Sequence, residues 1–204
     1  MKQLLALLIS AIAFNAYAAN PSPISNIIGT NSATSSERSA TFYLSGDGQT
    51  EPMRYKAEVF KWTDKGIEPT KDIAVFPSVQ LVKPNGKYAF KVLSKVPRTE
   101  VEQTYRIIFT VLESTEEKKD GQIAITQNFS LPIFIAPTTT PFTKIEKSKV
   151  GNKWIFKNTG NSTFKTNGYT KDGQFQSSLV YIFPNGQYEV EGNEIELGDE
   201  LAKN

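Results

Sequence analysis

The sequence predicts an all-β protein of two immunoglobulin-like β-sandwich domains, the second abbreviated, and three observations carry that expectation. Short segments of alternating apolar and polar residues, bounded by Gly, Pro, Asn and Asp, recur along the chain, and helical periodicity is nowhere sustained. Leu81-Val-Lys-Pro-Asn-Gly-Lys-Tyr88 returns about a hundred residues later as Tyr181-Ile-Phe-Pro-Asn-Gly-Gln-Tyr188, which favours two copies of one architecture. Pro137-Thr-Thr-Thr-Pro141 between them has the composition of a linker.

The elements follow in order. Residues 39–45 form the first clear strand, turned by Gly46-Asp47-Gly48. In 53–62, Met53, Tyr55, Ala57 and Val59 take one face and Arg54, Lys56 and Glu58 the other; Phe60 and Trp62 break the polar face, so the far end of this strand is expected to be covered on both sides. Segments 73–82, 87–95, 104–112 and 121–137 continue the series, enough strands in about a hundred residues for one sandwich. In each Pro-Asn-Gly turn, Pro fixes one dihedral while Asn and Gly accept positive φ. The second half offers strands near 153–158, 163–168, 177–183 and 188–197, a short domain expected to lean on the first.

The N-terminus reads as an export signal. Met1-Lys2 is a basic start, Leu4 to Phe14 is too short an apolar run to span a bilayer, and Ala16-Tyr17-Ala18 is a small-x-small cleavage site. The expected organisation is a signal peptide over 1–18, a first domain over 19–137 and a second over 138–204, exported and without a membrane anchor. There is no His and no Cys, which removes nucleophile–imidazole pairs, thiol chemistry, disulfides and the usual zinc ligand sets; what remains for catalysis is a carboxylate pair, and no catalytic site is expected because the acids are spread as on a solvated surface. The 21 Asp and Glu are interspersed with 23 Lys and Arg, and a net charge of +2 is too slight to argue for nucleic acid. Asn128-Phe-Ser130 and Asn161-Ser-Thr163 match the glycosylation acceptor pattern, which is short enough to arise by chance.

The segment 121–137 stands out by length. Ile123, Ile125, Phe129, Leu131, Ile133 and Ile135 form one apolar stripe, interrupted at Gln127, along a strand about twice as long as usual. Two readings are open: a core strand serving its own domain, or a strand that lends its outer part to a partner's unfinished core. The preceding run 113–120 is polar and mixed in charge, an exposed loop.

Glu102-Gln-Thr-Tyr-Arg-Ile-Ile108, followed about twenty residues later by Phe129-Ser-Leu-Pro-Ile-Phe-Ile135, resembles the F and G strands of periplasmic pilus-assembly chaperones, the PapD-like family, and most resembles its archaic chaperone–usher branch. Ser36-Glu-Arg-Ser-Ala-Thr-Phe42 and Phe76-Pro-Ser-Val-Gln-Leu81 are similar to that family's first domain, and Asn158-Thr-Gly-Asn161 is loosely similar to its second. The resemblance implies a periplasmic protein that captures pilin subunits by donating its G strand and delivers them to an outer-membrane usher, with no cofactor. It places Ile123, Ile125, Gln127 and Phe129 against the subunit and Arg106 on the subunit's terminal carboxylate. An early basic residue is missing from 20–36, and Asn128 stands where the family often has Arg. Arg106 is out of phase with Tyr105, Ile107 and Phe109, so it is either that anchor or a surface arginine. An exported structural or adhesive subunit is the alternative function; it would call for an alternating N-terminal extension, whereas 19–36 is rich in Ser, Asn and Pro.

Overall fold

The computed structural model describes residues 19–29, 37–112 and 128–201, in which every regular element is a strand. The first group is β1 (Asn20–Ser22), β2 (Asn26–Ile28), β3 (Ser39–Ser45), β4 (Met53–Thr63), β5 (Gly66–Pro69), β6 (Ile73–Phe76), β7 (Val79–Val82), β8 (Lys87–Ser94), β9 (Gln103–Leu112) and β10 (Phe129–Ile135). After them come β11 (Ile145–Val150), β12 (Lys153–Asn158), β13 (Phe164–Lys171), β14 (Gln174–Ile182), β15 (Gln187–Glu191) and β16 (Ile195–Leu197). A sheet ordered β1-β3-β8-β6 packs on one ordered β2-β10-β9-β4-β5, to which β7 adds through β4. The second sandwich is β11-β12-β15 against β14-β13-β16.

Alternation decides which side chains make the first core. Phe42 and Leu44 from β3, Tyr55, Ala57 and Val59 from β4, Phe90 and Val92 from β8, Tyr105, Ile107 and Phe109 from β9, and Leu131, Ile133 and Ile135 from β10 are all buried between the sheets. Phe109 sits edge-on to both Phe42 and Phe90, with ring centroids 6.4 and 4.9 Å apart. The buried Tyr55 hydroxyl accepts from the Ala19 N–H at 3.1 Å and from Gln49 Nε2 at 3.3 Å, and the Tyr105 hydroxyl donates to Asp72 Oδ2 at 3.0 Å, so both polar tips are satisfied. The second core is smaller: Phe156, Phe164, Val180, Ile182, Val190 and Ile195.

The architectural repeat is visible in hydrogen bonds. Asn85 and Asn185 both have left-handed φ, 58° and 62°. Asn85 N–H donates to Gly46 O while Gly46 N–H donates to Gly86 O; in the second sandwich Asn185 N–H donates to Asn158 O while Asn158 N–H donates to Gly186 O. One turn thus docks on one strand end in the same way twice. Residue 46 must be Gly in its copy, because a Cβ there would lie 2.1 Å from Lys83 O.

Beyond β5 and β11, which the sequence reading did not give, three segments change sheets unexpectedly. The span 73–82 is two strands: β6 pairs β8 in one sheet and β7 pairs β4 in the other, the chain crossing at Pro77, whose lack of an N–H suits a break in the ladder. Residues 188–197 are likewise β15 and β16, which lie in different sheets. The N-terminal segment, too polar to read as a strand, changes sheets as well: β1 pairs antiparallel with β3, and beyond Pro23 β2 pairs parallel with β10.

Candidate functional site

The two sandwiches meet at a cleft, and Arg106 lies in it. As the middle of β9 alternates, Tyr105 and Ile107 go to the core and Arg106 to the outer face, opposite Pro132 of β10 and Phe60 of β4. Its Nε donates to Ser130 Oγ and its Nη2 to Ser130 O, both at 2.7 Å, and its guanidinium lies over the Trp62 ring, 4.4 Å from the centroid. Burial pushes the Arg106 pKa down, and the charge interaction with Tyr181 opposes that. The guanidinium is planar and has five N–H donors, so Arg106 keeps donors beyond the two used on Ser130.

The second sandwich supplies the other wall. Tyr181 and Phe183 stand edge-on to Trp62 with centroids 4.7 and 4.8 Å away, and Phe134 of β10 lies 6.4 Å from Tyr181. The Trp62 side of the far end of β4 is thus covered, as the break in its polar face foretold, while Lys61 on the other face stays exposed. Burial raises the Tyr181 pKa against the lowering effect of Arg106. Deeper in the junction, the Glu102 carboxylate accepts from Ser162 Oγ at 3.0 Å and from the Thr163 N–H at 2.9 Å, and Glu102 N–H donates to Asn161 O at 2.9 Å. Asn161 Nδ2 donates to Thr139 Oγ1 at 2.8 Å and Thr140 O at 3.2 Å, while Asn161 Oδ1 accepts from the Phe142 N–H at 2.8 Å. The Asn161 side chain is thereby committed and buried, so its acceptor motif is a coincidence.

Of the sequence-predicted binding residues, Ile123, Ile125 and Gln127 lie outside the described residues. Phe129 opens β10 opposite Phe109, partly buried and packed against the first core. Beyond it, Leu131, Ile133 and Ile135 face inward, and Phe134 is fully buried on the opposite, cleft side. The other edge of β10 is covered unevenly: β2 pairs only with Ile133, Phe134 and Ile135. Along Phe129 to Pro132, β9 is on one side and no strand among the described residues is on the other. Sequence reasoning found Arg106 but not Ser130, Tyr181 and Phe183 as its surroundings, since these approach it only through folding. No helix among the described residues is long and apolar enough to cross a membrane. No group of three or more acidic residues among them is placed to hold a metal.

These features define a two-sandwich protein whose strand β10 has, among the described residues, an unfinished edge next to a basic, aromatic cleft. The family model for the pili and flagellar-assembly chaperone, PapD N-terminal domain, matches residues 32–141, and the chain belongs to that family. Membership favours the chaperone over the surface-subunit alternative. Among solved structures, the chain is similar to the chaperone in the CsuC–CsuE chaperone–tip adhesion subunit pre-assembly complex from archaic chaperone–usher Csu pili of Acinetobacter baumannii, at 16% identity over 88% of this chain and 92% of that one, TM-score 0.68. It is similar to the E. coli chaperone DraB at 14% identity, covering 89% and 90%, TM-score 0.70. The complex of the Salmonella enterica SafA pilin with the SafB chaperone matches at 15% identity, covering 89% and 88%, TM-score 0.71. At such identities the likeness establishes the fold. Among curated proteins none matches the sequence.

Proposed function

We propose that the chain, after removal of residues 1–18, is a periplasmic chaperone whose domains, 19–137 and 138–204, hold pilin subunits by strand addition and pass them to an outer-membrane usher. The observation that carries this reading is the edge of β10 at Phe129 to Pro132, left without a partner strand among the described residues, which continues in sequence into the alternating residues Ile123 and Ile125. A strand with one unpaired edge and apolar side chains can complete a sheet that lacks a strand, satisfying two open edges at once. Ile123, Ile125, Gln127 and Phe129 contact the subunit, and Arg106 receives its terminal carboxylate through a charge-assisted pair. Recognition of this kind is binding alone and needs no catalytic group. Neighbouring structures with a pilin or tip subunit bound to the chaperone support it by analogy.

Each buried Ile contributes roughly 1.5 to 3 kcal/mol. The double variant Ile123→Asp, Ile125→Asp is therefore expected to lower co-purification of a pilin subunit from the host's own pilus operon more than a hundredfold, with the chaperone's melting curve unchanged. Unchanged co-purification would overturn the reading. Arg106→Ala should weaken capture strongly and Arg106→Lys in part, because an ammonium lacks the bidentate fork.

A further inference from the structure

The second sandwich has four edge strands, β11, β15, β14 and β16, and two of them, β11 and β14, are finished in opposite ways. β11 carries Glu146, Lys147 and Lys149; the two ammonium groups lie 4.2 and 4.8 Å from the Trp154 ring centroid, over the open side of the small core. Charges on an edge strand, turned toward the sandwich, keep other strands from pairing there. β14 carries no such charges. No charged residue occurs between Gln174 and Asn185, the residues from Gln174 to Leu179 are all exposed, and Phe175 and Leu179 are 57% and 58% exposed. Among the described residues only β13 pairs with β14, and the register shift between Thr166 and Gly168 leaves an extra β14 residue bulged at Ser178 and Leu179.

The unpaired side of β14 opens on a groove of about 380 Å³. Four consecutive residues, Ser178 to Tyr181, line it, so it follows the strand's edge and not one face of the sheet; Thr63, Asp64 and Gly66 around the β4–β5 turn form one further wall, and Gly186, Gln187 and Tyr188 at the start of β15 another. Trp62 lines this groove and also stacks on Arg106, so groove and cleft adjoin and share that ring as a wall.

We propose that β14 is a second strand-addition edge, occupied by an extended, uncharged segment of the same subunit that β10 and Arg106 hold. This rests on the chaperone reading above. The wall at the β4–β5 turn favours a single extended chain, because sheet-to-sheet pairing of two copies needs an edge that is clear on that side. Main-chain hydrogen bonds to β14 give affinity, and Phe175 and Leu179, which the bulge between them puts on opposite faces of the sheet, each offer an apolar contact to the segment.

The test uses the full chain co-expressed with a pilin subunit from the host's own pilus operon. Phe175→Lys with Leu179→Lys places gatekeeper charges on solvent-exposed positions, so the melting curve should stay as in the wild type. Capture is expected to fall about tenfold or more. Amide exchange at 176–179 in the wild type should slow when the subunit is bound. Wild-type capture by the double Lys variant, with exchange at 176–179 unaltered by the subunit, would overturn the inference; if Ile123→Asp with Ile125→Asp still abolished capture, the chaperone reading would stand without it. A wild-type homodimer that the Lys pair dissociates, with capture intact, would mean a second copy is the occupant and would equally overturn it.

Discussion

The first sandwich closes on itself and the second does not. In the first, rings from Phe42, Phe90 and Phe109 interlock at the centre of a core drawn from both sheets, and its buried hydroxyls find partners within the same domain. In the second, two three-stranded sheets enclose a handful of side chains, and much of what fixes the domain comes from outside it: Glu102 for the 161–163 loop, Trp62 for Tyr181 and Phe183. A core that small buries too little apolar surface to offset chain entropy comfortably. Its dependence places cleft residues of the second domain under the control of the first.

The comparison breaks most sharply at Phe109. Phe109→Ala removes the ring that joins both sheets of the first core and should cost about 3 to 5 kcal/mol, unfolding that domain and, through the lost junction, loosening the second. Chemical denaturation with far-ultraviolet circular dichroism would measure it; a second domain that kept its melting temperature would contradict the dependence. Glu102→Ala should do less, about 1 to 3 kcal/mol, by leaving the Thr163 N–H and Ser162 hydroxyl without their acceptor. Amide exchange should then quicken in 161–169 and stay slow in β9, and equal acceleration in both sandwiches would count against the asymmetry.

Tyr105→Phe is the mildest change, about 1 kcal/mol from the lost hydrogen bond to Asp72. It also has a pH signature. Burial first, then the bond to and charge of Asp72, raise the Tyr105 pKa above its ordinary 10.0, so the folded state favours the protonated phenol. This contribution is complete below about pH 10, the unfolded value, and is lost as pH climbs toward the folded one. Urea midpoints of the wild type should therefore fall above pH 10 more steeply than those of Tyr105→Phe; parallel curves would assign the alkaline loss elsewhere.

Where period 2 runs cleanly between two sheets, the sequence is enough: β3, β8 and β9 lie where their alternation puts them, and both Pro-Asn-Gly turns have the backbone their residues demand. Strand exchange between sheets is only partly legible: Pro77-Ser78 marks a break within 73–82, but nothing in the local pattern says that the chain resumes in the other sheet. Three-residue strands such as β1, β2 and β16 are too short to show any period. Lys147 and Lys149 hid β11 in a different way, since charges that lie over Trp154 at an edge read as a solvated loop. For the site, Arg106 was legible as a residue out of phase in β9. Its neighbours Tyr181 and Phe183 were not, being separated from it by more than seventy residues of chain.

The chain has two tryptophans, and the fold has put one in each sandwich: Trp62 between the guanidinium of Arg106 and the rings of Tyr181 and Phe183, Trp154 beneath two ammonium groups at the far edge. Indole emission depends on the charges and polarity around the ring. Trp154→Phe would leave a single fluorophore in the cleft, beside the atoms that a bound carboxylate would displace or neutralise. The molecule thus carries its own optical gauge of occupancy, one that needs no attached dye and can be followed in a stopped-flow instrument as a partner arrives.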